Sequence, residues 1–356
     1  TRMQQDSIYY GKAIICMLIM FGFGYLPPIE PITPLGMHIV GIFFGLLFGW
    51  MTIGLIWPSI MGCMALVLVG GMKVGAVLSA GWCSTTLLLI FFMVMVAGIV
   101  EQSGVSHFIA MYFITRKWVL GKPWLFTFVF LMTVFLLAAV TSTIPTIIIC
   151  WSIWYSICNQ VGYKPYEPFP SFMVVGVVMA ATFGLSVFPF RPVGILVFGI
   201  LEDLAGLSVN YLTYTCFTIP LSLLCILVFC ALGKLVFRID VSLLRQLTEE
   251  SFADVDLTLN KKQKAVLIFV LTLIVLLLIP SILPKTFFLA ALLNNIQAVG
   301  TAMILVAIMC CLKVDGEPIM NFKQVCSKGM QWDVIFLTSV VMPISSFLAE
   351  SFEPLL

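Results

Sequence analysis

The chain has 356 residues, 62% of them hydrophobic and only 10% charged, with a net charge of +2 and a mean hydropathy of +1.15. Soluble domains carry about 25% charged residues, so this composition excludes a soluble protein and defines an all-α polytopic membrane protein embedded in the lipid bilayer. It also excludes nucleic acid as a partner, because no basic cluster with interleaved aromatics occurs.

In chain order, a first spanning helix is expected over 13–27, where an apolar run meets Pro27-Pro28 with no small-residue cleavage site. Further spans are expected over 36–52, 53–72 and 84–102; Glu101 at the close of the last reads as an interfacial helix end. Gly104 to Lys117 mixes His107, Thr115, Arg116 and Lys117 into apolar residues and reads as an interfacial amphipathic helix. A hairpin follows over 123–159, then an interrupted segment over 171–201, then spans over 211–236, 265–283, 288–312 and 333–350. The only long polar stretch, 238–264, holds Arg245, Glu249, Glu250, Asp254, Asp256, Lys261 and Lys262 and divides the chain into halves. Asn294 and Asn295 read as packing residues between helices. The eleven cysteines lie mostly inside apolar runs without metal or disulfide spacing. His38 and His107 are lone histidines, and no nucleophile–base constellation, phosphate loop or haem motif is present, so neither an enzyme nor a bound metal is expected.

Lysine and arginine set the orientation. With the N-terminus in the cytoplasm, Arg116, Lys117, Lys122, Lys164, Lys234 and most later basic residues fall inside, while Lys73 and Lys285 fall outside. Gly81 to Ser103 and Met330 to Ser351 each close on a glutamate and a serine, and each is preceded by a Lys-Val pair. The topology sends these runs through the membrane in opposite senses, which is the pattern of inverted repeats with a substrate site near the midplane. On that reading the second repeat breaks off at Phe352 to Leu356, ahead of its own hairpin and broken helix, and the sequence is expected to be a piece of a longer protein.

Two interruptions carry the functional signal. In hydrocarbon an unpaired peptide group costs several kcal/mol, so non-helical backbone persists only where protein or a wet cavity satisfies it. The first interruption is Thr141-Ser142-Thr143-Ile144-Pro145-Thr146. The limbs flanking it, 124–140 and 147–159, are roughly 25 and 20 Å long, the second short for a full crossing. They are either two crossing helices with a hydroxyl-rich outer turn or a re-entrant hairpin. A re-entrant tip would present Thr141, Ser142, Thr143 and Thr146 to a solute, with Pro145 in the first turn of the second limb. The second interruption runs from Gly184 to Pro192, where Pro189 and Pro192 bracket Arg191 and Gly194 follows. A buried arginine there would cost on the order of 3 kcal/mol and should find a partner. Its fork suits a carboxylate or sulfate; the alternative is that Arg191 snorkels to the outer face.

The order of elements resembles the divalent anion/sodium symporter family of the wider ion transporter superfamily. The resemblance rests on Phe48-Gly49-Trp50-Met51-Thr52, on Glu101-Gln102-Ser103-Gly104, and on the hairpin. It continues through Ala180-Ala181-Thr182-Phe183-Gly184 before the proline break, Ser208-Val209-Asn210-Tyr211, and Trp332-Asp333-Val334-Ile335-Phe336-Leu337. It implies a homodimer in which a transport domain moves against a scaffold, carrying a small anionic substrate such as a dicarboxylate, citrate or sulfate. The division it implies is scaffold over 1–103, an interfacial arm over 104–120, transport domain over 121–236, a cytoplasmic linker over 237–264 and incomplete second-repeat scaffold over 265–356. No cofactor is implied beyond Na+ as coupling ion, which Thr141, Ser142, Thr182, Gly184 and Ser186 would hold. The family's hairpin tip reads Ser-Asn-Thr and its break Thr-Pro-Pro-Asn; Thr141-Ser142-Thr143 and Phe190-Arg191-Pro192-Val193 depart from both. The departures point to Arg191 standing in for sodium in a sodium-independent anion exchanger of a bacterial inner membrane. The alternatives are a sodium/proton antiporter, an arsenite-type permease or an inactive homologue.

Overall fold

The computed structural model describes residues 2–28, 32–164, 166–247, 258–284 and 286–352, with the side chains of 2–5 and 348–352 excepted. The linker acids Glu249, Glu250, Asp254 and Asp256, the outward Lys285, the Glu350 side chain and the expected end over 353–356 lie outside the described residues. In chain order the helices are α1 (Arg2–Gly22), α2 (Pro34–Thr52), α3 (Ile56–Leu68), α4 (Val74–Gly81), α5 (Thr85–Ser103), α6 (Val105–Ile114), α7 (Pro123–Val140) and α8 (Thr143–Val161). They continue as α9 (Pro168–Val187), α10 (Pro192–Ala205), α11 (Tyr211–Ala231), α12 (Lys261–Ile282), α13 (Phe288–Cys311), α14 (Phe322–Lys328) and α15 (Trp332–Phe352). Nine helices among the described residues are long and apolar enough to cross a membrane, so the chain is an all-α polytopic membrane protein. Two short strands, β1 (Lys313–Val314) and β2 (Glu317–Pro318), pair antiparallel across Asp315-Gly316, both with positive φ, the geometry that Asp-Gly favours in a two-residue hairpin.

Local chemistry sets the helix ends. Proline opens α2, α7, α9 and α10, where its missing N–H is harmless and its φ already helical. Thr33, Asn210, Asn260 and Asn321 accept from amides in the first turns of α2, α11, α12 and α14, and Asn260 with Gln263 completes a capping box. Gly104 and Gly162 stop α5 and α8 in the left-handed region that glycine adopts without strain.

Several expected bounds shift. The span over 53–72 is the shorter α3, because the chain leaves the helix at Val69 and turns at Gly70-Gly71. The expected arm over 104–120 is helical only as α6, and turns occupy 117–121. The second limb of the hairpin is a 19-residue helix beginning at Thr143, long enough to cross a bilayer, and not the short segment the sequence suggests. The reason is that Thr143 to Thr146, which read as loop, form its first turn. The span over 288–312 is interrupted: Gln297 has φ 58 and ψ 178 inside α13, a glycine-like conformation that costs about 1–3 kcal/mol in another residue.

The chain forms two compact units. One comprises Thr1–Phe91, Ile195–Val209 and Gln331–Leu356. Its α2 carries Gly41, Gly45 and Gly49 at four-residue spacing, and a Cβ on any of them would meet Phe23, Met20 or Cys16 at 2.7–2.9 Å. This small-residue stripe lets α1 lie directly on α2, as in membrane helix pairs generally. The other unit comprises Phe92–Gly194 and Asn210–Met330. Its core is built on α7 and α9, with Trp154 of α8 fully buried edge-on to Phe130 and Phe169 at centroid distances of 5.9 and 5.5 Å.

Candidate functional site

Both sequence interruptions fall in the second unit and meet there. α7 passes into α8 through Thr141 and Ser142, both extended. The hydroxyls of Thr141 and Thr146 lie 2.6 Å apart, and each is within hydrogen-bond distance of a carbonyl four residues back, Thr141 Oγ1 of Leu137 and Thr146 Oγ1 of Ser142, so the two hydroxyl hydrogens are shared among three contacts. Thr141, Ser142 and Thr146 are all buried, Thr143 is half-buried, and Pro145 sits in the first turn of α8. Ser142 occupies the N-cap of α8, yet its hydroxyl makes no capping bond to the helix amides.

The second break, Phe188 to Arg191, separates α9 from α10. Phe188 is extended, as a residue before proline must be, and its ring stacks on Phe190 at 4.9 Å. Pro189 lies within the break and Pro192 opens α10. Arg191 is only 6% exposed, so its guanidinium turns into the protein and does not snorkel outward. Its Nη2 donates to the carbonyl oxygen of Thr141. From the other side, the Ser142 amide N–H donates to Glu101 Oε1 at 2.8 Å.

The Thr141 carbonyl and the Ser142 N–H are the two ends of one peptide group. A cation grips its oxygen and a carboxylate its hydrogen, so the peptide dipole lies between opposite charges that stabilise each end. Hydrogen bonds to charged groups contribute about 1.5–3 kcal/mol each, comparable with the cost of an arginine within a membrane span. Glu101 is close enough to act electrostatically on Arg191, and the two charges balance through the peptide. The Arg191 Nε–H remains buried and without a hydrogen-bond partner among the described residues.

The surrounding sequence places these groups. α9 approaches the last turn of α7 at Gly184, where a Cβ would lie 2.4 Å from the Phe135 carbonyl oxygen and 2.7 Å from Ala138 Cβ. That close approach carries Arg191, seven residues on, to the end of α7. α5 holds Glu101 in register because Gly98 packs backbone to backbone on Gly329, and Gln263 Nε2 donates to the Ser103 carbonyl at 3.0 Å.

Of the residues singled out in the sequence, the structure brings Thr141, Ser142, Thr146 and Arg191 together, with Thr143 and Pro145 on the adjoining turn of α8. It does not bring Thr182, Gly184 and Ser186 to them as a ligand set. Thr182 and Ser186 lie on an exposed face of α9 and donate to the Val178 and Thr182 carbonyls of their own helix. The Ser186 carbonyl accepts from Tyr214 at 2.8 Å, and Gly184 serves packing. The residue missed is Glu101, whose partner lies 41 residues away in sequence. Its only sequence signal is a lone acid closing an apolar run.

A membrane-embedded helical protein with two backbone breaks joined around a buried arginine and a half-buried glutamate has the makings of a solute-handling transporter. A sequence model of the CitMHS family, described as citrate transporter, matches residues 45–351. The chain belongs to that family. It is therefore a secondary transporter of citrate or related anions, and the family fits the wider ion transporter superfamily that the sequence resembles. A search of curated proteins found no match.

Proposed function

We propose that this protein carries citrate, or a di- or tricarboxylate like it, by sodium-independent exchange, with the anion docking at the α7–α8 turn beside Arg191. The observation that supports this reading is the Arg191 Nε–H, a buried cationic donor without a partner, next to helix amides that Ser142 does not cap. A buried unsatisfied donor calls for an occupant, and a carboxylate matches the flat edge of a guanidinium. Thr143 and Ser142 are the hydroxyls placed to complete its shell. The elevator mechanism, the homodimer and the cytoplasmic N-terminus complete the proposal. Sodium coupling has less support, because Thr182 and Ser186 direct their hydroxyls into α9 itself.

Uptake of radiolabelled citrate into proteoliposomes tests the reading. Internal unlabelled citrate should accelerate uptake, and replacing sodium with choline should leave the rate unchanged. Uptake that requires a sodium gradient would overturn the exchange mechanism; no saturable citrate uptake under any gradient would overturn the substrate. A second reading, a proton-linked antiporter, is favoured by one observation: Glu101 places a carboxylate at the turn. Acid-quench fluorescence changes that do not depend on citrate would select it.

A further inference from the structure

Beside the turn lies a cavity of a different character. It has a volume of about 500 Å³, within the range of ligand sites, and its lining, drawn from α5, α6, α7, α12 and Leu259 just ahead of α12, is apolar except for the Tyr112 hydroxyl. One wall is α6 and the facing wall the stripe of α12 that includes Leu267 and Leu271. A cationic group packs on its lining. The Arg116 guanidinium lies over the Tyr112 ring, 3.6 Å from its centroid, and is half-buried with no acidic partner among the described residues. Trp118, two residues further on, is 54% exposed. Lys264 is exposed and lies on the same stripe of α12 as Leu267 and Leu271, at three- and seven-residue spacing.

An apolar slot edged by an arginine, with an exposed lysine on the adjoining turn of α12 and an exposed tryptophan two residues past the arginine, matches the two halves of a membrane lipid: an acyl chain inside and an anionic headgroup at the rim. We propose that this groove binds an anionic phospholipid, its chain lying between α6 and α12 and its phosphate on Arg116. A zwitterionic lipid fits the slot equally well but gains less at the rim, so the preference is electrostatic. The floor of the groove gives the site a consequence. Val100 and Val140 line it, and they directly precede Glu101 and Thr141. An acyl chain packed on those valines braces the carboxylate and the peptide that Arg191 grips, so lipid occupancy adjusts the anion site from behind. The lipid site itself does not depend on which anion is carried.

The test is native mass spectrometry of the full chain released from nanodiscs of equal phosphatidylglycerol and phosphatidylcholine. The parent protein should retain phosphatidylglycerol about fivefold over phosphatidylcholine, the preference expected from one interfacial arginine. Arg116→Gln should bring the ratio near unity while unfolding at the parent temperature in phosphatidylcholine alone. Val270→Trp, which fills the slot, should retain neither lipid. If that variant does not fold, Arg116→Gln decides by itself. An unchanged phosphatidylglycerol preference in Arg116→Gln would overturn the proposal, as would lipid-free two-chain species in which a second copy shields the groove. Citrate uptake that is faster in phosphatidylglycerol vesicles for the parent, and not for Arg116→Gln, would extend lipid binding to the anion site.

Discussion

Replacing Arg191 with alanine is expected to reduce the initial rate of citrate uptake by at least about 100-fold. The substitution removes the cation at the anion site and strands two groups at once, the Thr141 carbonyl and the Glu101 carboxylate. A buried hydrogen-bonding group left without its partner costs about 1–3 kcal/mol. The variant should therefore unfold at a lower temperature as well as transport poorly. Arg191→Lys separates the two effects: it keeps the charge but loses the planar fork, so it should fold close to normally and lose about tenfold in rate. Initial rates in proteoliposomes, normalised to reconstituted protein, measure this. An alanine variant that transports at the parental rate would remove Arg191 from the site.

Gly184→Val should be nearly as damaging, although Gly184 touches no solute. A Cβ at this position meets the Phe135 carbonyl at 2.4 Å, and backbone cannot yield as a flexible side chain does. α9 must then move off α7 and take Arg191 away from Thr141. Overpacking of this kind costs about 1–3 kcal/mol, and uptake should fall by at least about tenfold even where detergent-solubilised protein remains monodisperse. Gly194→Ala and Gly206→Ala offer a contrast. Gly194 packs on Pro189 inside the break, so its alanine variant should also lose transport, whereas Gly206, with open space around it, should show only the modest strain of its positive φ. A Gly184→Val protein with parental uptake would mean that the α7–α9 approach does not position the arginine.

The fold class was legible because hydrophobic composition and span length leave few alternatives for a chain so poor in charge. Both breaks were legible as well, since proline and clustered hydroxyls mark the places where helix is interrupted. The rest depended on information that is not local. Thr143 to Thr146 look like loop, yet a proline in the first turn is compatible with helix, so α8 begins there and gains a full crossing length. The kink at Gln297 has neither proline nor glycine at the break itself, and only its neighbours Asn294 and Asn295 hinted at polarity inside that span. Thr182 and Ser186 entered only through the family resemblance, and helix register turns both onto an exposed face of α9. Glu101 was legible only as the end of a helix. Its role follows from packing at Gly98 and from the contact of Gln263 on α12 to the Ser103 carbonyl, which bring the carboxylate to a peptide in another helix pair.

A double-substitution cycle at Glu101 and Arg191 tests most directly whether the two side chains act through the single peptide between Thr141 and Ser142. Glu101→Gln preserves an acceptor for the Ser142 amide and removes the charge, and should slow citrate uptake about tenfold. Combined with Arg191→Lys, it should cost little more than the worse single change, corresponding to a coupling of about 1 kcal/mol, as for residues sharing one network. Rate losses that simply multiply would show the glutamate and the arginine acting independently, and would contradict the joined charge–peptide–charge arrangement on which the proposed anion site rests.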